Sequence, residues 1–233
     1  MRIVGIDPSI SGTAIFLHDS CKNTEEFILF GNKKKGKWWN VVEPICRQVV
    51  CEYVYPENYS EQDIYKVLKY GQTAELIADT VANFQPDLVV IESYSFSSAA
   101  GDIIDLVTFG SALRRSIMNR GLFIKVLAPT QLKSAAGALA YGKDKKGVAR
   151  RPIREGEKAG LAAGKFTKTE MLESLIHHAP SCLLVKTLGP MAQEAIGLAT
   201  VPSPINDMVD AYFLAKVLRK IWKHSVSDAG MIR

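Results

Sequence analysis

Two short apolar runs, MRIVGID at the start of the chain and PDLVVIE near its middle, each close on a carboxylate, Asp7 and Glu92. The second run does not alternate polar and apolar residues. A continuous short run of this kind suits a central parallel strand, covered by helices on both faces. Pro8 follows Asp7, and without an N–H and with a fixed φ it cannot extend a strand ladder. The chain must turn there, which leaves Asp7 at the strand end. In open α/β sheets, sites lie beyond the carboxyl ends of the parallel strands. Both acids therefore reach one place if their strands are neighbours. Gly5 lets another element, such as a helix, pack close to the first strand's backbone.

The pattern around these runs predicts a layered α/β chain. After the turn at Pro8, Ser9, Ser11 and Gly12, TAIFLHD reads as a second strand and EEFILFGN as a third, paired antiparallel. Lys33 to Lys37 form a basic tip before Trp38 and Trp39. WNVVEPICRQVVCEYV fits helix or strands, with Pro44 against one continuous helix. Tyr65 to Phe84 has a helical period, as does Ile103 to Arg120 with Gly121 as its stop. LFIKVLAP is the next strand, and Thr130 caps a short helix through about Ala140. Tyr141 to Gly164 has no apolar period and reads as a long flexible loop or arm. Thr167 or Thr169 caps a helix through about His178, and a short helix is expected at Met191 to Leu198. A last helix runs from about Asp207 to Trp222, with Asn206 as its cap, followed by a frayed tail.

The 233 residues, 47% hydrophobic and 23% charged, suit one moderately large domain with a real core. That domain is expected over residues 1–223, with residues 224–233 as a tail. No stretch approaches the length needed to span a bilayer, and the N-terminus lacks a secretory pattern. Cys21, Cys46, Cys51 and Cys182 form no CxxC pair, so neither a disulfide framework nor structural zinc is expected. A reducing cytoplasmic compartment follows. Between Lys143 and Lys168 nine basic residues face three acids, in a chain whose net charge is +5. Nucleic acid is the natural partner for such a concentration, and a solvated loop tip is the plainer alternative.

The last helix adds two more acids. Asp207 and Asp210 lie three apart, on one side of the helix, beside the apolar stripe Val209, Phe213, Leu214, Val217 and Leu218. An acid at the margin of a packing face is costly unless paired or metal-bound, although Asp207 also suits a helix dipole. Like charges brought together need compensation. Hard oxygen ligands suit Mg²⁺, with Mn²⁺ as a substitute. Two ions about 3.5–4 Å apart can clamp a phosphodiester. Asp7 would bind both, Glu92 one, and Asp210 with Asp207 the other, with Asp207 ranked last.

At these residues the chain resembles the RuvC family of Holliday junction resolvases, within the RNase H-like fold. GIDPSISGTA is similar to the family's opening strand and hairpin, PDLVVIES to its second acidic motif, and NDMVDAYFLA to its terminal DxxDA helix. The likeness is to divergent members of the kind phages encode, which would work in a host cytoplasm. It implies a central mixed five-stranded sheet flanked by helices. It also implies Mg²⁺ binding, a homodimer, and paired nicks across a four-way DNA junction, in recombination and repair. APTQLKSAAGA and FTKTEML are further matches. They make Lys133 a DNA contact and put Lys168 near the scissile phosphate. Tyr94 or Phe96 would stack on a base opened at the junction, with core packing as the alternative. In the arm, Lys143, Lys145, Lys146, Arg150, Arg151, Arg154 and Lys165 are candidate DNA contacts.

The chain departs from the bacterial pattern in its longer early region, 21–61, and in the basic segment 141–165. Both bear on substrate geometry and leave flaps and forks open as substrates. The helix around Gly110 and Ala112 offers a dimer interface or core packing. A non-catalytic branched-DNA-binding protein is a second reading. A sugar-kinase or actin-like ATPase would need a second large domain and another phosphate loop, and neither is evident. RNA or hybrid substrates stay open.

Overall fold

The computed structural model describes residues 1–32, 35–51, 59–94, 100–151 and 166–228. Its first strands are β1 (Arg2–Asp7), β2 (Gly12–Asp19) and β3 (Thr24–Gly31). A short helix α1 (Lys37–Val42) runs into a 3-10 turn at Glu43–Ile45, and then β4 (Cys46–Val50) follows. Pro44 sits at the start of the 3-10 turn, where its missing N–H costs nothing, and α1 ends before it. The ambiguous early region thus contains both helix and strand.

Helix α2 (Tyr59–Phe84) begins six residues before the expected start and leads to β5 (Leu88–Glu92). Helix α3 (Ala100–Met118), β6 (Ile124–Leu127) and α4 (Pro129–Tyr141) follow. Thr130 does not cap α4. Ala128 is the cap residue and Pro129 opens the helix, while the Gln131 side chain accepts the Ala128 N–H at 3.0 Å. Then come α5 (Lys168–His178), α6 (Leu183–Leu188), α7 (Met191–Gly197) and α8 (Ile205–Asp228). Thr167, not Thr169, caps α5. Asn206 lies inside the first turn of α8, which starts after Pro204 and continues to Asp228, past the expected end.

The strands form one mixed sheet in the order β4-β3-β2-β1-β5-β6. Among the described residues it has six strands where five were expected, because β4 adds a parallel edge to β3. β1 and β2 pair antiparallel, and β1, β5 and β6 run parallel in the centre and at the other edge. Both faces of β5 are covered, as its unbroken apolar run requires. Val89 and Ile91 meet a core under α2 and α3, while Leu88 and Val90 meet the core beneath α8.

Gly5 decides how α8 lies. A Cβ at this position would sit 2.0 Å from the Ala211 carbonyl oxygen and 2.9 Å from the Ala215 nitrogen. Only a residue without a side chain lets α8 lie directly on β1, with Ala211 and Ala215 facing it. That contact brings the first turns of α8 over the strand ends.

The segment expected to be a long loop starts as an ordered hairpin. Lys143 and Ala149 form an antiparallel bridge. Gly147 donates to the Asp144 carbonyl at 3.0 Å, closing a tight turn with Gly147 at φ +80°. The Asp144 carboxylate accepts from the Lys146 and Val148 amides at 2.9 and 2.8 Å. An acid at the first position and a left-handed glycine at the fourth are the residues this turn demands. Residues 152–165 lie outside the described residues.

Candidate metal centre and nucleic-acid interface

Asp7 and Glu92 come together because β1 and β5 are parallel neighbours. Ile6 pairs with Ile91, and each acid is the next residue of its strand. Across the sheet end, α8 delivers Asp210. One carboxylate oxygen from each of Asp7, Glu92 and Asp210 lies within 4.8 Å of the others. Asp7 is 7% and Asp210 2% exposed, so these are charges held away from water.

Lys168 completes the centre. It opens α5, whose start is fixed by a reciprocal cap. The Thr167 side chain accepts the Glu170 N–H at 3.2 Å, and Glu170 accepts the Thr167 N–H at 2.7 Å. The Lys168 ammonium forms an ion pair with Asp210.

The electrostatics follow from three crowded acids beside the half-exposed ammonium of Lys168, with Lys133 further off. Burial pushes Asp7 well above the usual carboxylate range, and repulsion from Glu92 and Asp210 adds to it. Glu92 is pushed up to about 7 by burial and by Asp210, against a hydrogen bond with Asp7 and the attraction of Lys168 and Lys133. Asp210 is also raised by burial, with Lys168 opposing the rise. Burial alone would lower Lys168, but Asp210 and Asp7 overcome it and hold the ammonium charged. Burial and crowding thus favour the protonated carboxyl groups, and a further cation would favour the ionised ones.

Asp207 stands outside this triad. The Ser203 hydroxyl donates to its carboxylate at 2.8 Å. Residues three apart on a helix differ by about 60° in direction. With α8 fixed on Gly5, that offset separates the two acids. Asp207 still contributes negative potential at Asp7.

The candidate DNA contacts divide. Lys133, in the second turn of α4, acts electrostatically on Glu92 and Asp210. Lys143, Lys145, Lys146 and Arg150 are exposed on the hairpin, with Lys145 and Lys146 at its tip. Arg151 instead turns inward and donates to buried Glu170 at 3.1 Å. Tyr94 packs on α3. Its ring covers Gly110, where a Cβ would come within 2.6 Å, and the Arg114 guanidinium lies 4.3 Å from the ring centre. Its hydroxyl contacts Ser111 at 3.3 Å. Gly110 therefore meets the chain's own tyrosine, and Ala112 packs against the core beneath α2 and α3. Phe96, Arg154 and Lys165 lie outside the described residues. Sequence reasoning missed the buried partnership of Arg151 with Glu170. The capping-box spacing of Thr167 and Glu170 places that carboxylate on the first turn of α5, and tertiary packing buries it.

No protein-family model and no curated protein matches the sequence. Among solved structures, the chain is similar to Thermus thermophilus RuvC, with 13% identity over 97% of both chains and a TM-score of 0.50. RuvC of the same organism in complex with a Holliday junction substrate gives 13% identity, 96% coverage of both chains and a TM-score of 0.49. The yeast mitochondrial Holliday junction resolvase gives 12% identity over 93% of this chain and 76% of that one, with a TM-score of 0.46. At these identities the likeness is one of fold. The chain has an RNase H-like α/β fold similar to that of Thermus thermophilus RuvC, with one more edge strand than expected.

Proposed function

We propose that this chain is a metal-dependent endonuclease that hydrolyses phosphodiesters in branched DNA, nicking four-way junctions in pairs as a homodimer. The observation that carries this reading is the buried convergence of Asp7, Glu92 and Asp210 with Lys168 at one sheet end. Hard, crowded carboxylates with raised proton affinity fit Mg²⁺ or Mn²⁺ and fit no soft metal. Asp7 would bind two ions, Glu92 one and Asp210 the other, with Asp207 supplying outer negative charge. Divalent cations at such a site supply Lewis acidity and an activated water at neutral pH.

The chain's own groups do the rest. Lys168, held charged, neutralises Asp210 and can hold a phosphate oxygen at the same edge of the centre. Lys133 adds positive potential from α4. The exposed lysines of the hairpin attract and position the DNA backbone without reading sequence.

A second copy would supply the second nick. Ile64, Val67 and Leu68 on α2 and Ile104 on α3 are between 53% and 68% exposed. They lie on the first halves of two packed helices, joined there by a Lys66–Asp105 ion pair of 3.1 Å. Exposed apolar residues gathered in this way suit a subunit interface. Replacing Ile64 and Leu68 with glutamate should convert a dimer to a monomer in sedimentation.

The reading is tested by a cleavage panel of four-way junctions, forks, flaps, duplexes and RNA–DNA hybrids, with and without Mg²⁺ or Mn²⁺. Paired, metal-dependent nicks in the junction support it. Binding of the junction without cleavage at any metal concentration would leave a branched-DNA-binding protein.

A further inference from the structure

Arg151 carries basic charge in the arm, yet its guanidinium is turned into the protein. Nη1 donates to Glu170 Oε1 at 3.1 Å, and the Glu170 side chain is almost wholly buried. The other oxygen of Glu170 accepts the Thr167 N–H, closing the cap of α5. Lys168 lies between these two capping residues and reaches the acidic centre. One helical turn therefore has two anchors. Lys168 ties it to Asp210, and Glu170 ties it to Arg151.

The rest of α5 needs no such help. Met171, Leu172 and Leu175 are buried in the core, and Ser174 bonds back to the Glu170 carbonyl at 2.6 Å. Arg151 meets this helix at its first turn, through Glu170. It also ends the ordered hairpin, directly after Arg150, whose N–H returns to the Gly142 carbonyl at 3.0 Å. Ala149, two residues earlier, is buried. Among the described residues, the Arg151–Glu170 ion pair links the hairpin base to the turn bearing Lys168. A buried carboxylate stripped of its cation is strongly disfavoured, so the pair holds the turn in place.

We propose that Arg151 is a positioning residue. Through Glu170 it fixes the first turn of α5, and with it the placement of Lys168 against Asp210, linking the lysine-tipped hairpin to the metal centre. The activity part of this inference rests on the nuclease reading above; the structural part does not.

The test uses the full chain and the variants Arg151→Ala, Arg151→Lys and Glu170→Gln. Gln keeps the cap to Thr167 but removes the charge. Amide hydrogen exchange at Glu170 and Met171 is read without DNA or metal. Single-turnover cleavage, junction affinity and its salt dependence are read with Mg²⁺. Arg151→Ala and Glu170→Gln should exchange these amides about tenfold faster. Their single-turnover rate should fall about 10- to 100-fold, the usual cost of losing a support behind a site residue. Junction affinity should stay within about twofold with an unchanged salt slope, since no phosphate contact is lost. Arg151→Lys should restore part of both the exchange protection and the rate. If Arg151→Ala fails to fold, the other two variants decide. Unchanged exchange overturns the proposal. So does a salt slope shallower by about 0.9 with an unchanged cleavage rate, which would make Arg151 a phosphate contact. If the native chain cleaves no branched DNA, the nuclease reading falls, and the exchange data still decide whether Arg151 holds the turn.

Discussion

Helix α8 carries two partly buried charge clusters six residues apart, and they are built differently. At Asp210, three carboxyl groups face the ammonium of Lys168. At Lys216, one ammonium lies 3.1 Å from Glu25 and 3.3 Å from His18, beside the rings of Phe16 and Tyr212. Glu25 also accepts the Leu183 N–H at 3.2 Å, joining the β2–β3 hairpin to α6. The second cluster is balanced, with one carboxylate for one ammonium and aromatic faces for the remaining field. Among the described residues, the first has an excess of acid over cation. Buried charge alone does not mark a functional centre, because both clusters have it. The proposed metal centre rests instead on the excess of one sign of charge.

The largest test of that contrast is Asp7→Asn. It should retain junction binding while Mg²⁺-dependent cleavage falls by more than about a hundredfold, beyond the usual loss of a mere supporting residue. Undiminished cleavage by the purified variant would end the catalytic assignment of the triad.

Lys216→Met probes the balanced cluster. Removing the cation leaves Glu25 with the Leu183 N–H and His18, so urea denaturation should show a loss of about 1–3 kcal/mol. Cleavage by the folded protein should be unchanged. A selective loss of activity would erase the distinction between the clusters.

Gly5→Ala forces α8 away from β1 and should destabilise by about 1–3 kcal/mol, as overpacked sites do. Because α8 carries Asp210, this variant should also bind Mn²⁺ more weakly in calorimetry, whereas Lys216→Met should not.

The acidic centre should show itself in the pH dependence of the metal-free protein. Asp7, Glu92 and Asp210 bind protons more tightly folded than unfolded. Their contribution to stability is complete below the ordinary carboxylate range and is lost as pH rises through the folded values. For Glu92 that window runs from 4.5 to about 7. Thermal denaturation in chelator should therefore weaken across this range, Mg²⁺ should offset the loss, and Glu92→Gln should flatten the slope. A metal-free protein equally stable at both ends would contradict the crowding.

The smallest effect belongs to the hairpin. Replacing Lys145 and Lys146 with alanine should lower the salt slope of junction binding by about 2, one step per phosphate contact. An unchanged slope would leave the hairpin as a solvated turn.

Much of the fold was legible because its signals are local. Pro8 stops β1 at Asp7, Thr167 and Glu170 cap α5, and the unbroken apolar run of β5 requires cover on both faces. Other features were not local. β4 contains Arg47 and Gln48 and has only one neighbour in the sheet, so its pattern does not show it to be a strand. The turn at Asp144 was hidden in a stretch that looked uniformly basic and loose, although Asp at the first position and Gly at the fourth were in view.

The sequence by itself determined that acids end two strands and begin one helix, because chain stops and helical periods are written in neighbouring residues. Only the tertiary structure decided which acids meet. Contact between Gly5 and α8 sets the helix's phase and brings in Asp210, while Asp207 stays with Ser203. It also turned Arg151 from an arm residue into a buried partner of Glu170. Distances between residues far apart in the chain depend on how the layers pack, and no single segment encodes that.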